Sequence, residues 1–321
     1  MFQYPYMNLF LFTLFSSTMM AISSSHWLMV WMSLELNMIS FLPLIASSSW
    51  FQESEGALKY LLFQALGSSF ILLGTMTTFL YSLSLIGLLI KLGAAPFHFW
   101  FPSVMKSLAW PAASLLMTWQ KIAPLLIIMS SFSFSSATLS AVGMVSALTG
   151  GLGGLNQSHF RPMLAYSSIG HMGWMIALMT YSPFISSTYL FFYIFISIPV
   201  LYFSAFLNIQ SIKKGKNSSS YILALCLLPT ILSLSGLPPF LGFAPKIFAL
   251  LAVYSIPISI TLIFGSLLNL SYYLNFFFSL YMSDPAYKNL RPSLQPNPMS
   301  LGLLWCACCP VPFVFVLFLF I

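Results

Sequence analysis

The chain has 321 residues, of which 59% are hydrophobic and 5% charged, with a formal net charge of +7. A soluble domain carries about 25% charged residues, so composition excludes a water-soluble globular fold. A mean hydropathy of +0.94 and recurring apolar runs of about twenty residues read as an all-α polytopic membrane protein; the runs lack the ten-residue alternation of a β-barrel.

The runs predict eleven spans, at approximately 4–22, 26–46, 57–80, 83–101, 109–131, 136–154, 161–180, 185–211, 220–250, 255–282 and 299–321. The first has neither a basic leading region nor a small-residue cleavage site, so it is expected to be a retained helix rather than a signal peptide or an Arg-rich transit sequence. The second contains Glu35 in W-M-S-L-E-L-N. The fourth carries Lys91 followed by G-A-A-P, then His98, and the fifth carries Lys121. The seventh holds His171, and the ninth pairs S-G-L-P-P-F with Lys246. Interior proline removes a backbone hydrogen bond and clashes with the preceding turn, so the fourth and ninth helices are expected to be broken. Their five-span separation inverts topology, the pattern of an antiporter-like inverted repeat with halves 1–132 and 133–282, within one transmembrane domain, and a final helix at 299–321.

This arrangement puts Lys59, Lys106, Arg161, Lys213, Lys214, Lys216, Lys288 and Arg291 at loops on one face. The positive-inside rule assigns that face and the N-terminus to the compartment of synthesis, and the C-terminus to the other side. Scattered basic residues of this kind are topology signals, not a nucleic-acid surface. Cys226 and the C-A-C-C run at 306–309 lie in apolar context without a converging ligand set and read as packed helix residues.

Glu35, Lys91, Lys121 and Lys246 remain, each inside an apolar span. A charge at the centre of a membrane helix costs about 2.5–3.5 kcal/mol, so four represent roughly 10–14 kcal/mol against insertion. Desolvation disfavours an ammonium and a nearby carboxylate favours it, so a Lys–Glu pair that opens and closes has a geometry-dependent proton affinity. Such residues mark ion or proton pathways. His98, seven residues after Lys91, and His171, four residues after Ser167, are candidate relay groups; the alternative for His171 is a histidine satisfied by Ser167 or a carbonyl. A haem held between His98 and His171 is a further reading. His26 and His159 fall at helix ends.

A resemblance runs nearly end to end. S-S-H-W-L-M-V-W-M-S-L-E-L-N at 24–37, E-G-A-L-K-Y-L-L-F-Q-A at 55–65 and K-L-G-A-A-P-F-H-F-W-F-P at 91–102 open the series. L-L-M-T-W-Q-K-I-A-P at 115–124, G-G-L-N-Q at 153–157, L-A-Y-S-S-I-G-H-M-G-W-M at 164–175 and S-G-L-P-P-F-L-G-F-A-P-K at 235–246 complete it. In this order they resemble the chain 2 subunits of mitochondrial NADH–ubiquinone oxidoreductase (complex I), antiporter-like members of its membrane arm. Beyond about residue 250 only hydropathy matches, and the chain is shorter than typical members around 81–90.

The resemblance implies the animal form with eleven helices, and it implies proton-transfer or coupling roles for Glu35, Lys91, Lys121 and Lys246. It implies a subunit of the proton-translocating NADH:ubiquinone reductase in the inner mitochondrial membrane, N-terminus in the matrix and C-terminus in the intermembrane space. Flavin (FMN), iron–sulfur clusters, NADH and ubiquinone would reside on other subunits, with no cofactor or metal on this chain. Partners would be other membrane-arm subunits and lipids such as cardiolipin, with no nucleic acid and no independent homo-oligomer. The rival readings are a scaffold or coupling subunit that conducts no proton, and a free-standing cation/proton antiporter.

Overall fold

The computed structural model describes residues 5–46, 51–76, 81–131, 134–206, 221–238 and 240–282. All its elements are helical, and they form two compact units, Met1–Val142 and Gly143–Ile321. The predicted final span at 299–321, the C-A-C-C run and the basic residues at 213–216, 288 and 291 lie outside the described residues, as does the side chain of Cys226.

In the first unit, α1 (Pro5–Ser23) packs on α2 (Trp27–Ile45), and α2 packs on α3 (Phe51–Met76). α3 in turn lies along α4 (Tyr81–Leu92) and α5 (Trp100–Ser107). α6 (Trp110–Met117), a 3₁₀ turn at Trp119–Lys121 and α7 (Ile122–Ser130) follow, with α7 against α1 and α4. α8 (Ser136–Leu155) begins before the boundary and continues into the second unit. There α9 (Phe160–Met179) packs with α10 (Pro183–Phe206), α12 (Ala244–Ala252) and α13 (Ile256–Met282), while α11 (Tyr221–Ser235) lies against α10 and α13.

Seven of the described helical segments are long and apolar enough to cross a membrane, the α6–α7 stretch counted as one. Ten predicted spans overlap a described helix or a broken helix; after the break in the fourth, α5 runs to Ser107, past the predicted edge at 101, so Lys106 lies on a helix rather than in a loop. α3 starts six residues before its predicted edge, because Gln52, Glu53 and Glu55 extend the helix beyond the apolar run, and an acidic first turn suits a helix N-terminus. Side-chain placement is the reverse of a soluble protein. Phe12, Leu62, Leu66, Phe191 and Leu267 are exposed, whereas Ser33, Ser84, Ser146 and three lysines are buried. Many buried hydroxyls bond back along their own helices, as Ser33 does to the Val30 carbonyl at 2.7 Å, while Ser186 of α10 crosses to the Met175 carbonyl of α9 at 2.7 Å.

The break at the fourth span follows from its sequence. Gly93 takes φ +67° and donates to the Ile90 carbonyl at 3.0 Å, while Ala94 donates to that of Leu89 at 3.1 Å, the pair of bonds that defines a Schellman cap. A left-handed residue here favours glycine. Pro96, after a cis peptide bond, then prevents the helix from resuming until Trp100. The ninth span ends its first half in the same way: Gly236 at φ +77° donates to Ser233 at 3.1 Å and Leu237 to Leu232 at 3.5 Å.

The fifth span, expected to be continuous, is also interrupted. Pro124 has no N–H to offer the carbonyl of Gln120 and its ring clashes there, so residues 119–121 tighten into the 3₁₀ turn. Thr118 hydroxyl, 2.7 Å from the Ser114 carbonyl, closes the end of α6.

α3 and α4 approach through glycine. A Cβ on Gly87 would sit 2.4 Å from the Gly67 carbonyl oxygen, so Gly87→Ala must force the helices apart. Overpacking of this kind costs about 1–3 kcal/mol; a lowered midpoint of thermal inactivation is expected, and an unchanged midpoint would show the contact to be soft.

Candidate functional site

Lys91 is the penultimate residue of α4, 6% exposed, with its stem against Gly67 of α3. The break beside it leaves backbone carbonyls without helical partners, and two side chains supply them. Trp100 Nε1 donates to the Ile90 carbonyl at 3.0 Å, and Gln64 Nε2 donates to the Lys91 carbonyl at 3.2 Å. The end of α4 is thereby satisfied from α5 and α3 in a region without bulk water. The Lys91 Nζ itself is buried and has no hydrogen-bond partner among the described residues.

Lys121 is 3% exposed and sits on the 3₁₀ turn, its ammonium 5.2 Å from the centre of the Phe101 ring. An aromatic face partly offsets the lost hydration of a cation. Lys91 and Lys121 line one small cavity, together with Tyr60, Gln64, Asn37 and Gln120. The space suits roughly one water molecule. Two lysine side chains thus line one chamber walled also by Trp100, Phe101 and aliphatic side chains.

Glu35 is half-buried and does not line that chamber, although its neighbours Leu34, Asn37 and Met38 do. Its Oε2 is buried and makes no hydrogen bond among the described residues. The expected Glu35–Lys91 pair is therefore not closed by a hydrogen bond from Lys91 Nζ.

In the second unit, Lys246 is 6% exposed near the start of α12. Its Nζ reaches back across the break and donates to the carbonyl of Ser235, the last residue of α11. A helix C-terminus carries partial negative charge, so the cation is held by backbone rather than by a carboxylate.

The two candidate relay histidines differ from expectation. His98 is buried in the break with its ring centre 4.3 Å from that of Phe99. It shares no helix face with Lys91, because α4 ends at Leu92, and it does not line the lysine cavity. His171 finds its partner in Tyr189 of α10, 2.9 Å from its Nδ1. Ser167 instead bonds the Leu164 carbonyl at 2.8 Å. The Tyr193 ring lies 5.3 Å from that of His171, so the histidine sits among buried tyrosines of α10. His26 and His159 precede the first residues of α2 and α9, at helix ends as expected.

The sequence reading missed Asn37, Tyr60, Gln64 and Gln120. Their signal was present: an amide inside an apolar helix is costly unless paired, and Q-K-I-A-P announces the proline that distorts the turn. Removing one of them gives a direct test of the cap. Gln64→Leu would strand the Lys91 carbonyl at a cost of about 1–3 kcal/mol, which thermal inactivation should report as a lowered midpoint; no change would remove the capping role.

A family model described as the NADH:quinone oxidoreductase/Mrp antiporter transmembrane region matches residues 24–85 and 74–271. The NADH-ubiquinone oxidoreductase chain 2 of Lumbricus terrestris is 38% identical over 303 residues, covering 89% of this chain and 90% of the relative. The protein of the same name from Anopheles gambiae is 38% identical over 86% of each chain. Among solved structures, a chain of respiratory complex I from Thermus thermophilus matches with a TM-score of 0.77 at 24% identity, over 97% of this chain and 77% of that one. A chain of an archaeal membrane-bound sulfane sulfur reductase matches with a TM-score of 0.82 at 18% identity, over 97% and 72%. These two likenesses show a shared fold, and the family model marks it as the antiporter-like one.

Proposed function

Because the chain belongs to the NADH:quinone oxidoreductase/Mrp antiporter transmembrane family, we propose that it is a core membrane subunit of NADH:ubiquinone oxidoreductase that carries protons across the inner mitochondrial membrane. NADH, flavin, iron–sulfur clusters and ubiquinone act on other subunits, and this chain holds no redox centre. Its neighbours are other membrane-arm subunits, with lipid, cardiolipin included, around the apolar exterior.

The observation that carries this reading is the shared cavity of Lys91 and Lys121. A lysine buried among apolar groups is disfavoured as a cation and becomes a proton carrier when a movable carboxylate adjusts its field. Bringing Glu35 close holds the proton on Lys91; drawing it away releases the proton through a bridging water to Lys121 in its neutral amine form, leaving Lys91 neutral and Lys121 charged. Redox energy delivered from elsewhere in the complex drives that movement. Lys246, at the break of the second unit, is the corresponding exchange group there. The shared cap chemistry at Gly93 and Gly236 supports reading residues 1–132 and 133–282 as two repeats. His171, bonded to Tyr189, is a relay candidate in the second unit, and His98 one in the first.

In the assembled complex, Lys91→Met, Lys121→Met and Glu35→Gln are each expected to lower NADH-linked proton pumping about tenfold or more, the scale of losing a proton-transfer group. Unchanged pumping at normal NADH turnover would overturn the reading in favour of a scaffold that conducts no proton. Cation/proton exchange by the chain isolated from its redox partners would favour a free-standing antiporter. Orientation is tested separately. A cysteine replacing Lys106 is expected to react with an impermeant thiol reagent from the matrix face alone, and labelling from the opposite face would invert the assignment.

A further inference from the structure

Asn37 and Gln120 exchange both of their hydrogen bonds. Asn37 Nδ2 donates to Gln120 Oε1 at 2.9 Å, and Gln120 Nε2 donates to Asn37 Oδ1 at 3.3 Å. Two planar amides joined in this way fix distance and mutual orientation together. The pair bridges α2 and the 3₁₀ turn, elements 83 residues apart in sequence. Asn37 stands two positions after Glu35, and Gln120 immediately precedes Lys121. Both amides line the chamber that holds Lys91 and Lys121.

The local backbone makes this bridge consequential. Pro124 removes the hydrogen bond that a regular helix would give the Gln120 carbonyl, so the ordinary ladder does not set where Lys121 points. Separating the amides would leave two donors and two acceptors unpaired at a partly buried site whose chamber has room for roughly one water. The turn is consequently held from outside, by the helix that bears the carboxylate.

We propose that Asn37 and Gln120 are positioning residues that place Lys121 in the chamber opposite Lys91 and tie it to the Glu35 helix. The proposal rests on the proton-transfer reading above. A displacement of α2 moves the Glu35 charge and, through the amide pair, the lysine that receives the proton. Neither amide titrates, so their contribution is geometric.

The test uses Asn37→Gln, Gln120→Asn and the double exchange of both, in the assembled complex. Each single variant changes the combined length of the bridge by one methylene, and the double restores it with the amides transposed. Protons pumped per NADH oxidised are measured beside NADH oxidation released by an uncoupler. Each single variant is expected to lower the pumping ratio by about threefold or more, with uncoupled oxidation retained, and the double to recover to within about twofold of the wild type. Normal pumping in both single variants overturns the proposal, as does a double no better than the worse single. Failure of all three to assemble overturns it in favour of packing alone. Lys121→Met separates the two levels: normal pumping there removes the proton-transfer reading itself. Loss of pumping in Lys121→Met, with normal single amide variants, removes only the positioning role.

Discussion

A peptide carbonyl released from its helix inside a lipid bilayer has no solvent to accept from, and leaving it unpaired costs several kcal/mol. Much of the first unit's interior is organised around that requirement. The turn that ends α4 occupies the carbonyls of Leu89 and Ile90 with backbone N–H groups. Trp100 and Gln64 add donors at Ile90 and Lys91. Those side chains must come from α5 and α3, which fixes where the two helices run past the break. The chamber is the residue of this arrangement: a place where polar groups already converge, into which two lysines fit.

The architecture was legible wherever hydrophobic periodicity and proline placement spoke together. Gly93 and Pro96, or Gly236 and Pro238, name a helix stop in any chain. Lysine in a run of leucines marks a candidate functional group. Other features depended on three-dimensional proximity that spacing does not encode. Nothing in W-Q-K-I-A-P pairs Gln120 with Asn37, because the partner lies on a different helix. His171 illustrates the converse error: Ser167 lies one turn away on the same helix, yet its hydroxyl is satisfied by its own backbone, and the histidine turns to Tyr189. His98 shows a third limit of spacing: seven residues place it on one face with Lys91 only in a continuous helix, and α4 ends at Leu92.

The two units solve the same local problem with different donors. Both end a helix with a left-handed glycine and the same pair of backbone bonds, followed three residues on by proline. In the first, the lysine precedes the glycine and neutral side chains finish the cap. In the second, the lysine follows it and finishes the cap itself. A common scaffold thus carries a cation on opposite sides of its break.

The bond between Lys246 and Ser235 differs in kind from a salt bridge. An ammonium that gives up its proton to leave a carboxylate behind strands a bare anion in hydrocarbon, with the full cost of an uncompensated ion. The Ser235 oxygen carries no formal charge, and an amine still has hydrogens to donate to it. Lys246 is therefore anchored by a bond that does not depend on a carboxylate and that either ionisation state of the side chain can make.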